Sequence, residues 1–564
     1  MKEPLIGWLR KGRFVLPLLI ALVAAAAFAC GGDSRQVTVS EYQVFRQRIA
    51  ADPGTFDPQL ASVGEEISVV KQLFRGLFTY DKDLNVVAAV AVELPTKENG
   101  GISDDGLTYT IKLREEATWS DGRRVTAHDF VYAFQRLFDP QAGAQGRYFS
   151  LYTAIKGADE ASQGAGSIED VGVSALDDST LQFQLVRQQP TLTTLLALWP
   201  ASPLRQDVVQ QPGASWTEAG KLIGNGPFVL KEYAPEQQVV LEANANYWGD
   251  DQPSLDRLVY RIIPEDSAAL IAYESGEVDM TLVPPPDIAG FQDSEELLQF
   301  AQLETYAIHY NHRQEPFDDP LVRQAFSRAI DRDAYVLAVQ QGAGAPALGW
   351  LPPSMPGSNA DVGQDLDFDP EAAQALLSVA GYPDGEDFPS VTLMINQVAS
   401  SRRTAEFLKE QLKTNLGVDL QVEALEEETY FDRLLAGDFD ATWLSWFADY
   451  ADPENWLPQQ FGTDGGFNVL GYSNPDVDEL FTTAATELNQ TERLALYDQA
   501  HRLIIEDQAV TPLYYPQRHY LVKPHVAGLV TTVLDAEPGD WFVTSVRIMQ
   551  TEGGGAPPAS EPDN

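Results

Sequence analysis

The chain contains one cysteine, Cys30, and its position constrains the fold more than any other residue. It follows the basic residues Lys2, Arg10, Lys11 and Arg13 and an apolar run from Phe14 to Ala29, and it precedes Gly31-Gly32-Asp33-Ser34. A positive start, a short apolar stretch and small residues before a cleavage point form an export signal. The run is also shorter than the roughly 20 residues a permanent membrane helix needs. Residues 1–29 are therefore read as a removable leader and 30–35 as a flexible linker. No second cysteine follows, so no intramolecular disulfide is available, and an exported body must be held by its core. With 564 residues, 44% of them hydrophobic, the chain has the apolar material for a large one.

Beyond the leader no segment approaches the length of a membrane helix, and the stretch 551–564, rich in Gly, Pro, Ser and acidic residues, reads as a disordered tail. Between them β-type and helix-type runs alternate without a fixed period, which predicts a mixed α/β body and excludes a repeat protein or coiled coil. Ser103-Asp104-Asp105-Gly106 is a turn signal, and Leu107, Tyr109, Ile111 and Leu113 then alternate with polar residues as in a half-buried strand. From Thr126, the spacing of Phe130, Ala133, Phe134, Leu137 and Phe138 follows one helix face, with Thr126 as N-cap, Asp129 as its capping partner and Asp139-Pro140 as the stop. A second stripe, Val322, Ala325, Phe326, Ala329 and Ile330, is opened by Asp318-Asp319-Pro320. Both stripes are core faces.

Acidic residues outnumber basic ones 83 to 38, for a net charge of -45. Such a surface repels nucleic acid phosphates, so nucleic acid is excluded as a partner, and the charge is read as a solubility device. Enzyme signatures are missing as well. The sequence has no HExxH zinc helix, no G-x-S-x-G elbow, no phosphate-binding loop and no cysteine of catalytic type. His309 and His312 form the one close histidine pair, but Tyr306, Ile308 and Tyr310 mark that stretch as a strand running into a turn, which points the two rings to opposite faces. No metal and no cofactor are expected. A glycosidase-like carboxylate pair has no positive support, although counting cannot remove it from so acidic a chain, and a secreted hydrolase stays open as the competitor of another class.

The leader's end resembles a bacterial lipoprotein signal, in which the cysteine becomes the first mature residue and carries lipid, although Ala27 and Phe28 depart from its usual occupants. Further strings resemble the extracellular solute-binding proteins of family five, receptors of peptide and nickel ABC importers. They run in the family's order: Asp52-Pro53-Gly54-Thr55-Phe56-Asp57-Pro58, Leu73-Phe74-Arg75-Gly76-Leu77, the block from Leu113 through Trp119-Ser120-Asp121-Gly122 to Phe130, Asn225-Gly226-Pro227-Phe228, Asn246-Tyr247-Trp248, Gly276-Glu277-Val278-Asp279, Ala329-Ile330-Asp331-Arg332, Ala380-Gly381-Tyr382-Pro383, and Trp446-Phe447-Ala448-Asp449-Tyr450-Ala451-Asp452-Pro453. The resemblance implies a two-lobed periplasmic-binding-protein-like fold of the large type, with three domains. Lobe I is expected from residues 36–75, 199–303 and 507–550, a family-specific extra domain from 76–198, and lobe II from 304–506.

It also implies a monomer that encloses an oligopeptide or dipeptide between closing lobes, delivers it to the permease subunits of an ABC transporter, and is held to the membrane by lipid on Cys30. Cello-oligosaccharide, nickel complexes and haem are the alternative solutes in the family. Carried over by position, Asp449 is expected to pair with the peptide's ammonium group, flanked by Trp446 and Tyr450, with Ser445 and Phe447 offering main-chain bonds. Asn468 is a further candidate, and Tyr148 and Tyr152 could reach the solute from the extra domain. The chain departs from the family's oligopeptide receptors at three places: Trp443 stands where they keep a carboxylate-binding arginine, Glu427 replaces a wall tryptophan, and Glu304 and Phe447 replace a cysteine pair.

Overall fold

The computed structural model describes residues 37–144, 146, 148–211 and 215–551. The leader, the linker with Cys30 and all of the expected tail except Thr551 lie outside the described residues. The chain divides into two compact units. In the described part of the smaller, Val37–Val39 pairs antiparallel with Met549 to Thr551. The larger runs from Tyr42 to Ile548 and holds the site.

Among the described residues, the larger unit is built on a mixed sheet of twelve strands. Its path runs Gln421–Leu425, Thr392–Asn396, Ala441–Phe447, Glu304–Tyr310, Val510–Val522, Met280–Leu282, Val44–Ile49, Arg257–Ile262, Gln238–Ala243 and Phe228–Ala234, with Leu297–Ala301 and Gly344–Pro346 attached to Val510–Val522. Parallel pairs such as Arg257–Ile262 with Val44–Ile49 sit beside antiparallel ones; the fold is α/β, the class that the irregular alternation predicts, on a sheet of mixed strand direction. The strand Val510–Val522 joins the two ends of this path. Its first residues pair with Glu304–Tyr310 and its last with Leu297–Ala301 and Met280–Leu282.

Local chemistry explains the elements near the site. The helix Ala127–Phe138 starts at Thr126, whose backbone N–H donates to the Asp129 carboxylate at 2.8 Å, and it buries Phe130, Ala133, Phe134, Leu137 and Phe138. It packs on a three-stranded sheet in which Tyr109 and Ile111 of Thr108–Lys112 point inward, as their alternation predicts. Helix Pro320–Arg328 opens on Asp319, whose carboxylate accepts from the Leu321 N–H at 2.8 Å, and it buries Val322, Ala325 and Phe326. Helix Ala399–Leu416 ends at Gly417 with φ 73°, a left-handed cap that a residue without Cβ adopts freely. With no disulfide available, stability rests on this packing and on buried ion pairs such as Arg136 with Asp57 and Arg493 with Asp452.

Candidate functional site

The site grows out of the strand Ala441–Phe447, which pairs antiparallel with Glu304–Tyr310 and parallel with Thr392–Asn396. Register sets Phe447 opposite Glu304, Trp446 opposite Thr305, Ser445 opposite Tyr306 and Trp443 opposite Ile308. Past Phe447 the chain leaves the sheet. The Ala448 N–H donates to the Leu303 carbonyl at 2.9 Å, and the Asp449 N–H donates to Asn455 Oδ1 at 2.9 Å. Asn455 returns a bond from Nδ2 to Asp449 Oδ2 at 3.0 Å, so one amide fixes both the backbone and the carboxylate of Asp449. The turn beyond is fastened by Asp452, which accepts from the Glu454 N–H and takes a two-pronged ion pair from buried Arg493 at 2.7 and 2.6 Å.

Asp449 is half-buried on the wall of a cavity of about 290 Å³, which is also lined by Tyr148, Trp199, Glu304, Phe447 and Arg518. Burial pushes the Asp449 carboxyl above the ordinary carboxylate range, against hydrogen bonds from Asn455 and Tyr148 that favour the charged form. Tyr148 in turn packs edge-on against Trp199, ring centroids 5.0 Å apart. Close by, Thr191 donates its hydroxyl to Glu454, whose carboxyl is raised to about 6 by burial and by Asp452. Thus the 76–198 segment touches the turn after the strand at two points.

The charges around this cavity do not balance. Lys71 Nζ lies 3.0 Å from both carboxylate oxygens of Asp540 and 4.0 Å above the Trp541 ring. Arg518 stands 3.5 Å from Glu304. Each cation on the wall therefore has its own anion, whereas Asp449 has hydrogen-bond donors and, among the described residues, no ion-pair partner. A carboxylate so placed favours a cation brought by a guest, since leaving its charge half-desolvated costs on the order of several kcal/mol.

The other expected site residues divide sharply. Tyr148, Phe447 and Asp449 line the cavity. Trp446 braces it from behind, donating Nε1–H to the Asn455 carbonyl at 3.1 Å and packing on Phe467. Ser445 is half-buried opposite Tyr306. Trp443 is buried in a stack with Tyr306 and Tyr514, and Tyr450 is buried in the core. Tyr152 is wholly buried, with its hydroxyl donating to the Leu195 carbonyl at 2.9 Å and its ring against Phe134, so it reaches the core and not the cavity. Asn468 has both side-chain ends occupied by backbone: Nδ2 donates to the Gly462 and Tyr472 carbonyls, and Oδ1 accepts from the Tyr472 N–H. It clasps a loop. Glu427 is exposed as the first residue of helix Glu427–Ala436 and does not line the cavity.

Sequence reasoning missed Asn455 and Arg493, the residues that hold Asp449 and its turn in place. Asn455 carries no sequence signal beyond its nearness to Asp452-Pro453, and Arg493 is 41 residues from its partner. Among the described residues no group of three or more His, Cys, Asp or Glu is arranged to hold a metal, and no helix is long and apolar enough to cross a membrane. His309 is buried on the strand while His312, past its end, bonds the Ala509 carbonyl.

Residues 88–468 match the family model described as bacterial extracellular solute-binding proteins, family 5 middle. The chain is 30% identical over 520 residues to the periplasmic oligopeptide-binding protein OppA of Escherichia coli strain K12, covering 91% of this chain and 94% of that one. Among solved structures it resembles the Escherichia coli murein tripeptide binding protein MppA, with a TM-score of 0.74, 30% identity and coverage of 91% and 100% of the two chains. It is similar too to Listeria monocytogenes OppA bound to peptide, with a TM-score of 0.72 at 27% identity over 90% and 99%.

Proposed function

The chain belongs to the bacterial extracellular solute-binding proteins of family 5, and on that premise we propose that it captures oligopeptides outside the cytoplasm and passes them, chemically unchanged, to the permease of an ABC importer. The single observation carrying the peptide reading is Asp449, a carboxylate on a cavity wall that is hydrogen-bonded in place and unmatched by a cation among the described residues. A peptide's α-ammonium group supplies that missing charge, and the bond it forms is charge-assisted. Relatives named for oligopeptide and dipeptide binding favour peptide over cello-oligosaccharide, nickel complex or haem.

The mechanism is a closing equilibrium. Residues 36–75, 199–303 and 507–550 form one lobe and 304–506 the other, with 76–198 as an extra domain leaning on the first. A guest seated on Asp449 stabilises the closed form through contacts that only that form makes. On this division, Tyr148 to Asp449 and Thr191 to Glu454 join the extra domain to the second lobe. The receptor acts as a monomer tethered by lipid on Cys30, which keeps it near its permease.

Titration calorimetry of the purified protein with free and N-acetylated peptides tests the reading. Free peptides are expected to bind and acetylated ones to bind far more weakly, with mass spectrometry recovering the peptides intact. Equal binding of the two, or cleavage products, would overturn it. For the tether, the Cys30→Ser protein is expected in the soluble fraction of lysed cells, and its retention on membranes would remove the lipid from the account.

A further inference from the structure

Asp449 is one end of the cavity's chemistry, and the other charged groups on its wall are not equivalent. Lys71 is sunk against Asp540 and Trp541, with its side chain 6% exposed. Arg518 is different: its side chain is 40% exposed, whereas that of its partner Glu304 is only 7% exposed. The guanidinium therefore faces the cavity and the carboxylate sits behind it.

Arg518 is also aimed. Its Nε donates to Gln302 Oε1 at 2.6 Å, and the same Gln302 side chain donates from Nε2 to the Asp535 carbonyl at 3.1 Å. One edge of the guanidinium is thereby tied to a fixed amide. Glu304 Oε2 stands 3.5 Å from Nη2, too far for a well-formed hydrogen bond, and among the described residues that oxygen has no hydrogen-bond partner. The buried carboxylate keeps Arg518 charged without using up its donors. A planar cation held along one edge and open along the other suits a carboxylate, which it can meet with two parallel N–H bonds. The volume, about 290 Å³, lies at the small end of ligand-binding pockets and suits a short guest.

We propose that Arg518 is a carboxylate-reading residue of this cavity, so that the protein selects short zwitterionic peptides whose free C-terminus meets Arg518 while the ammonium group meets Asp449. The inference rests on the peptide reading above. Gln302 is its positioning residue, and Glu304 its fixed counter-charge.

The test is calorimetry on the full-length protein with di-, tri- and tetrapeptides, each with a free or an amidated C-terminus, and with an N-acetylated set alongside. For the shortest peptides, amidation is expected to weaken binding to the unaltered protein by about tenfold or more, the scale of one hydrogen-bonded charge. In Arg518→Gln that penalty should vanish because the free acid binds as weakly as the amide. Arg518→Lys keeps the charge beside Glu304 without the fork, and should retain only part of the discrimination, which covers the case in which the glutamine variant fails to fold. Amidation that costs nothing in the unaltered protein, or the same in either variant, overturns the inference. If acetylation still abolishes binding in that event, the peptide reading stands and only Arg518 falls; if no peptide binds in any form, both fall.

Discussion

Two halves of one seven-residue strand lead different lives. At the Trp443 end of Ala441–Phe447, a buried indole stacks on Tyr306, which stacks in turn on Tyr514, with Tyr335 edge-on to the indole. At the Phe447 end the chain turns out onto a cavity wall, and the next polar residue, Asp449, keeps a charge that no neighbour among the described residues cancels. Both ends are rich in aromatic residues. The difference is what stands opposite: interior at Ile308, and a strand crossing with Glu304 and Arg518 at the other end. An aromatic cluster in a sequence therefore indicates burial, and what sets the cavity end apart is the charge beside it.

Substitutions break this comparison most directly. Trp443→Ala removes a large buried side chain from a packed stack, and is expected to cost about 3 to 5 kcal/mol of stability in a urea unfolding series. Peptide affinity measured well below the transition should change little. A small stability loss with a large affinity loss would move Trp443 into the binding surface. Asp449→Asn is the mirror image. It should weaken peptide binding by about 1 to 3 kcal/mol and leave melting unchanged or slightly raised, because a half-buried charge has been removed; unchanged affinity by calorimetry would take Asp449 out of the site.

Proton titration sharpens the contrast, since Asp535 and Glu537 are interleaved with the cavity-lining residues Leu534 and Ala536, whereas the histidines lie away from the cavity. Burial raises Glu537 to about 8 and pushes Asp535 the same way, so the folded form holds protons there that the unfolded chain has released. Stability from these groups is present at low pH and lost as pH rises toward about 8. Burial lowers His309 to about 4 and His312 and His501 to about 3. Their contribution is present above the ordinary histidine value of 6.5 and is lost as pH falls toward their folded values. Melting temperature is expected to rise from pH 8 to a maximum near 6.5 and then fall; a steady rise from pH 5 to 8 in scanning calorimetry would refute it. The smallest effect belongs to Glu427→Ala, where an exposed helix-start residue away from the cavity should leave peptide affinity unchanged and cost stability only slightly through the helix dipole.

What could be read from the sequence follows the range of the interactions. The Thr126 and Asp319 helix starts and the Tyr109 and Ile111 strand face depend on neighbours within a few residues, and the structure has them where periodicity puts them. The order of solute-receptor strings likewise anticipated the α/β fold and the family. Tyr152 and Asn468 were harder. An aromatic ring or an amide looks the same in a string whether it faces a cleft or an interior, and only Leu195, 43 residues from Tyr152, and the Gly462 and Tyr472 carbonyls around Asn468 decide the matter. Asn455 and Gln302 were invisible for the same reason. Each matters through what it holds, and the group it holds becomes a neighbour only on folding.

The strand Val510–Val522 gives its first residues to one end of the sheet and its last to the other. Melting either end would strip hydrogen bonds from a ribbon that the other end also needs, so the two cannot come apart as independent domains do. Heat should therefore draw from the larger unit one sharp endotherm, with calorimetric and van't Hoff enthalpies close to each other. A chain without crosslinks thus gains all-or-none melting from a shared strand.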